Sequence, residues 1–313
     1  MHGQMVAVRA RYDGRKLSYL ERPNRCLERL GRGSRVKLIF SRKGFDSSAG
    51  GVPSPLVDDR PISLPIPTRM PTPTTFADLS ADVAELVSDL TRGRIAIDQP
   101  CHLDPDLDAN SLARLPGWRG ALGQVSAAQS HLLNNGVGPG DIFLFWGLYR
   151  PAVRSEAGSW AFSGKAEHRL FGWLQVEEVS AVGEDPALAL KSYPWLKSHP
   201  HLASGWPPNN TVYVARERLQ VSGQAVGLPG YGVLGRGLRL TAPGSPLPSV
   251  WAVPPWLDPL RGGTGLTYHP AERWNPDGTL RSAARGQEFV ADIGNRQDAV
   301  DWVLRLLAGE AEA

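Results

Sequence analysis

The chain has 313 residues, 42% hydrophobic and 21% charged, which suits a folded globular protein and is enough for one large domain or two ordinary ones. Its longest apolar run, IFLFWGLY, is far short of the roughly 20 residues of a bilayer span, and no apolar signal core precedes it, so no membrane and a cytoplasmic location are expected. The net charge of +3 is unevenly spread: residues 1–35 carry nine basic and three acidic side chains, leaving 25 basic against 28 acidic in the rest, which excludes a broad basic face for duplex binding.

Residues 1–35 show neither helical nor alternating periodicity. They read as a disordered basic leader, or as upstream sequence translated from a misassigned start. Val36 heads the first convincing strand, whose apolar run ends at Ser41-Arg42-Lys43-Gly44. A Gly- and Ser-containing loop follows. From Pro53 to Pro73, seven prolines in 21 residues argue against a helix or an internal strand. Phe76, Leu79, Val83, Leu86, Val87 and Leu90 then share one face of an expected helix ending at Gly93. Arg94 to Asp98 reads as a short strand, and Gly120 to Asn134 as a second helix capped by Asn135-Gly136.

The middle third is richer in β-branched and aromatic residues. Strands are expected over Ile142–Tyr149, Leu170–Val179 and Thr211–Leu219. Residues 243–259, with six prolines and the anchors Trp251, Trp256 and Leu257, read as an ordered loop. A strand over Gly286–Asp292 and a helix over Gln297–Ala308, with Val300, Val303, Leu304 and Leu307 inward, close the pattern. The fold class is α+β: a single compact mixed sheet over residues 36–309, flanked by helices, with a β-rich part over about residues 138–220.

The loop after the first strand lacks the Walker pattern. Lys43 precedes Gly44, and Val52-Pro53-Ser54-Pro55 bars a following helix. It keeps two basic groups (Arg42 and Lys43), the carboxylate Asp46, the hydroxyls of Ser47 and Ser48, and glycines whose amides can approach an anion. A plain surface turn explains the same residues. The second candidate is CHLDPDLD, where His102, Asp104 and Asp106 can ligate a divalent metal, or His102 can act with a carboxylate as a proton-transfer pair. An Asp-Pro turn with capping aspartates is the structural alternative. Gln124 and His131 share a face of the expected second helix beside small residues that leave room for a ligand, with a satisfied core-edge histidine as the alternative. Glu288, between a glycine turn and Phe289-Val290, reads as a carboxylate held inward. With Arg42 and Ser47 these are the substrate-binding candidates. His168, His199, His201 and His269 stand apart from any cluster and are assigned no role. Two cysteines, Cys26 and Cys101, make no disulfide framework. The chain has no GxSxG, HExxH, CxxC or strand-borne GxGxxG, and nothing names a cofactor.

SRKGFDSSAGGVPSPL with PISLPIP, then CHLDPDL, then GQVSAAQSHLLNNGVGPGDIFLFWGLYR, together with GQEFV, resemble the nucleotide modification associated domain 3 family. The similarity runs from about Val36 to Leu307. It implies work on a modified base or nucleotide, with nucleotide or nucleic acid as partner beside the proteins of a base-modification system. It carries forward Lys43, Asp46, His102, Asp104 and Asp106 as catalytic candidates. A weaker similarity, GDIFLFWG, FGWLQVEEV and VYVARERL, is to PUA-like barrels of the EVE and ASCH kind. That likeness implies a pocket for a base, with Trp146, Tyr149, Trp173, Trp195 or Trp206 available to stack on it or to pack the core. Two functions follow. One is base or nucleotide modification at a polar site of two strand-end loops, with Lys43 neutralising a phosphate, Asp46 or Asp104 as base and His102 as proton shuttle. The other is a non-catalytic reader of modified nucleic acid.

Overall fold

The structure, a computed structural model, describes residues 35–70 and 72–310. The leader expected over 1–35 lies outside the described residues, apart from Arg35.

The first part of the chain forms β1 (Val36–Arg42), β2 (Ser54–Val57), β3 (Arg60–Pro61), β4 (Ile66–Pro67), α1 (Ala81–Thr91), β5 (Cys101–His102), β6 (Ala121–Gln124) and α2 (Ser126–Asn134). The middle forms β7 (Ile142–Arg154), β8 (Trp160–Phe162), β9 (Glu167–Ala181), α3 (Ala187–Ser192), β10 (Thr211–Ala215), β11 (Arg218–Val221), β12 (Gln224–Pro229) and β13 (Tyr231–Arg239). Then come β14 (Val250–Ala252), β15 (Thr279–Arg281), β16 (Glu288–Gly294) and α4 (Gln297–Leu307). The fold class is α+β, as expected. Among the described residues, ten strands make one mixed open sheet along the path β16-β1-β7-β9-β10-β6, with β13 beside β9, β2 and β8 beside β7, and β3 beside β2.

β1 is a central strand, antiparallel to β16 and parallel to β7, and its apolar run Leu38-Ile39-Phe40 is buried on both faces. The strand period of two divides that run. Leu38 and Phe40, with Leu144 and Trp146 of β7, enter the core that α4 closes with Ala299, Trp302, Val303, Leu306 and Leu307. Ile39, with Phe143 and Phe145, enters the opposite core with Leu122, Leu132 and Tyr213. The sheet also curls. Its two path ends approach, because Gln124 on β6 donates through Nε2 to Glu288 Oε1 on β16 at 2.5 Å.

Four local expectations are corrected. The helix expected over Gly120–Asn134 is a strand and then a shorter helix. Ala121–Gln124 pair with β10 and are all buried, and Ser126 has a positive φ of 54° that starts the turn into α2. Gln124 and His131 therefore do not share a helical face. Arg94–Asp98 is not a strand: the chain turns through Gln99 N–H to Ala96 O, and pairing resumes at β5 against β4. The helix from Phe76 splits into a 3-10 turn, Phe76–Asp78, and α1. The Asp78 carboxylate accepts from both the N–H and the hydroxyl of Thr75. The proline-rich stretch holds short strands after all. Pro55 sits in β2 between β3 and β7 and supplies its carbonyl to Ile62 N–H, so its missing donor is not needed there.

Candidate functional site

The antiparallel register of β1 and β16 sets Ser41 directly opposite Glu288, so their side chains are neighbours on one face. Ser41 Oγ donates to Glu288 Oε1 at 3.0 Å. Two residues on, Lys43 is held by its N–H to Trp146 O, and its ammonium donates to the same Oε1 at 3.4 Å. With Gln124, three donors meet on one carboxylate oxygen. The other, Oε2, is buried and has no partner among the described residues. Burial is the largest influence on Glu288 and raises its pKa above the usual carboxylate range, although Lys43, Ser41 and Gln124 all favour the charged form.

A second cluster is built from β5 and the turn after it. Asp104 Oδ1 accepts Gly123 N–H at 2.7 Å, which ties this turn to β6. Asp104 Oδ2 faces His102 Nε2 at 3.7 Å and His201 Nε2 at 3.8 Å, while His199 Nε2 lies 3.4 Å from Oδ1. The Asp104, His199 and His201 side chains are 3% exposed or less; His102, at 13%, opens further. Burial works against the charge on Asp104. The His102 and His199 rings beside it, with the Lys43 charge, outweigh it and hold the carboxyl well below its usual range. Burial likewise pushes His201 down to about 3, so its ring is neutral at physiological pH. His102, Asp104 and His201 each present one donor atom, and the three atoms lie within 4.8 Å of one another.

The two clusters share a wall. Gly123 bonds Asp104 while the next residue, Gln124, bonds Glu288, and the Lys43 charge is felt at Asp104. The loop after β1 and the turn at Asp104 are neighbours here. A cleft of about 800 Å³ runs beside them, lined in part by Gly44, Arg60, Asp104, Pro105 and Phe171.

Of the other candidates, Asp106 also lines this cleft, whereas Asp46 and His131 do not. Asp106 forms a two-pronged pair with Arg114, at 2.6 and 2.5 Å, and bridges to Ala121 through its backbone. Asp46 caps its own turn through Ser48 and Ala49 and pairs with Arg42 at 2.7 Å, while Ser47 is exposed beside it. His131 lies on α2 against Tyr268, bonded to Thr267 Oγ1 at 3.1 Å. Trp146, Tyr149 and Trp173 are buried in the cores, and Trp195 is half-buried.

Sequence reasoning set His199 and His201 aside as isolated, and the structure corrects this. Their partner, the Asp104 turn, is nearly a hundred residues away in the chain, and only the β6–β10 pairing and the 3-10 turn at Pro200 bring them to it. The signal available was His-Pro-His itself, two imidazoles at i and i+2 with Trp206 and Asn210 following. Ser41 and Asn210 were also missed, and Trp206, expected to stack on a base or pack the core, stacks on His201.

Fold and site define an α+β protein with two adjoining buried polar clusters at strand ends beside a cleft of about 800 Å³. Residues 37–292 match the family described as nucleotide modification associated domain 3, and the chain belongs to that family. No curated protein and no solved structure matches it. Among the described residues, no helix is long and apolar enough to cross a membrane.

Proposed function

We propose that this chain modifies a base or nucleotide bound in the cleft beside Gly44 and Asp104. The place of Asp104 on the wall of that cleft, with the Lys43–Glu288 cluster adjoining it through Gly123 and Gln124, carries the reading, since family membership gives only a link to nucleotide modification. A cleft of about 800 Å³ suits a ligand of nucleotide size. Glu288, buried, raised in pKa by that burial and with one oxygen unengaged, has the character of a proton acceptor. Lys43 supplies the cation for a phosphate or for charge developing on the base.

The test is mass spectrometry of nucleosides from cells with and without the gene and its neighbours, repeated with Glu288→Gln. This substitution keeps the Oε1 acceptor and removes the basicity. A nucleoside change that disappears with Glu288→Gln, while the variant melts as a folded protein, supports catalysis. An unchanged profile, with selective binding of oligonucleotides bearing a modified base, replaces this function with that of a reader.

A further inference from the structure

We infer that His102, Asp104 and His201 form a site for one divalent first-row transition ion. The inference goes beyond the proposed function and does not depend on it. It starts from which atoms are left free. Asn210 Nδ2 donates to His201 O at 2.8 Å and to Gly183 O at 3.3 Å, which fixes its amide so that Oδ1 faces the ring. That oxygen lies 2.7 Å from His201 Nδ1, so Nδ1 carries the proton and Nε2 keeps its lone pair, aimed at Asp104. A metal-bound imidazole uses its second nitrogen in this way.

His199 plays a different part. Its Nδ1 accepts His201 N–H at 3.3 Å, so in the neutral ring the proton sits on Nε2, facing Asp104 Oδ1. Gly123 N–H donates to that oxygen, so Oδ1 is engaged and Oδ2 is left for an ion. His199 is therefore a positioning residue rather than a ligand.

The distances suit an ion. Bonds of about 2.0–2.2 Å in a tetrahedral site put donor atoms about 3.4 Å apart. The Oδ2–Nε2 separations of 3.7 and 3.8 Å need only small side-chain movements to reach that. The site is also preorganised. Trp206 stacks on His201 at 4.4 Å with planes 4° apart, and its Nε1 is anchored to Pro200 O. A Cβ on Gly123 would lie 2.1 Å from the His201 ring, so only glycine admits this imidazole. Two imidazoles and one carboxylate leave coordination positions for water or substrate, as catalytic rather than structural sites do, and the donor set favours a transition ion over magnesium or calcium.

The probe is Co²⁺ added to chelator-treated full-length protein, followed by its visible ligand-field spectrum and by calorimetry, with Zn²⁺ as competitor. One ion per chain is expected, displaced by Zn²⁺. The more exposed ligand variant, His102→Ala, should weaken binding at least as much as an outer-shell change. Asn210→Ala, which touches no ion, should weaken it by about 10–100-fold. Melting curves for each variant establish that it is folded. Absence of saturable Co²⁺ binding by the wild-type chain, or unchanged affinity in folded His102→Ala, overturns the site. Neither readout uses a nucleotide, so failure here leaves the proposed function to its own test.

Discussion

Replacing Lys43 by methionine removes the ammonium and keeps most of the stem, which isolates the charge that faces Glu288. The carboxylate is 1% exposed and the Lys43 side chain 10%, so the pair is out of water and cannot exchange its partner for solvent. Removing one member of such a pair costs about 3–5 kcal/mol, and the 3.4 Å separation places this case near the lower end. Protonation of Glu288 relieves part of that cost, which gives the substitution a pH signature. Burial already raises the Glu288 pKa above the 4.5 of an unfolded carboxyl, and losing Lys43 raises it further. A raised acid binds its proton more tightly in the folded state, so stability falls as pH rises above 4.5. The slope is at most about 1.4 kcal/mol per pH unit. Urea unfolding of both proteins at pH 5, 6 and 7 should therefore show a gap that widens with pH, by no more than about 2.5 kcal/mol from pH 5 to 7. Adding Glu288→Gln should narrow the gap at pH 7 and flatten its pH dependence. A gap of the same size at all three values would mean that Glu288 does not respond to Lys43, and the clustering argument would fall.

His168 lies between Trp146 and Trp251 and accepts from Trp251 Nε1 at 2.9 Å, and burial, helped by the Arg42 charge, pushes it down to about 3. Here the unfolded chain binds the proton more tightly, so this contribution is complete above the ordinary 6.5 and is lost as pH falls towards 3. His168→Asn, which keeps an acceptor for Trp251, should remove about 2 kcal/mol of the wild-type loss between pH 8 and pH 5, as read by denaturant unfolding. Asp106→Asn breaks the two-pronged Arg114 pair and should cost about 3 kcal/mol in the same measurement. It should leave Co²⁺ affinity unchanged, and a loss of affinity in the folded variant would place Asp106 in the metal site.

The parts of the fold legible in the sequence are those whose reasons are local. The continuous apolar run of β1, the long aromatic strands β7 and β9 and the inward face of α4 announce themselves by period, because burial on both faces, or on one, dictates their composition. β6 did not. Ala-Leu-Gly-Gln has weak strand character, and its glycine is selected by the His201 ring, a contact made 78 positions away. The site divides the same way. Lys43, His102, Asp104 and Glu288 stood out as polar groups at strand ends. Asp46 and Asp106 looked equivalent to them, yet their charges are taken up by Arg42 and Arg114, pairings that spacing alone does not reveal. His199 and His201 depended on a distant carboxylate, so only the three-dimensional arrangement gives them a role.

The bond between Gln124 and Glu288 joins opposite margins of a sheet whose backbone never completes the circuit. It works as a clasp on an unsewn seam. A ligand that draws Glu288 to itself must compete with that clasp, so occupancy and seam opening are coupled, and the coupling acts in both directions. A substitution that loosens β6 from β10, far from any reacting atom, would change how readily Glu288 is released. Conversely, a ligand that bridges Glu288 and the Gly123 side of the seam would draw the two edges together and protect the amides of both from exchange.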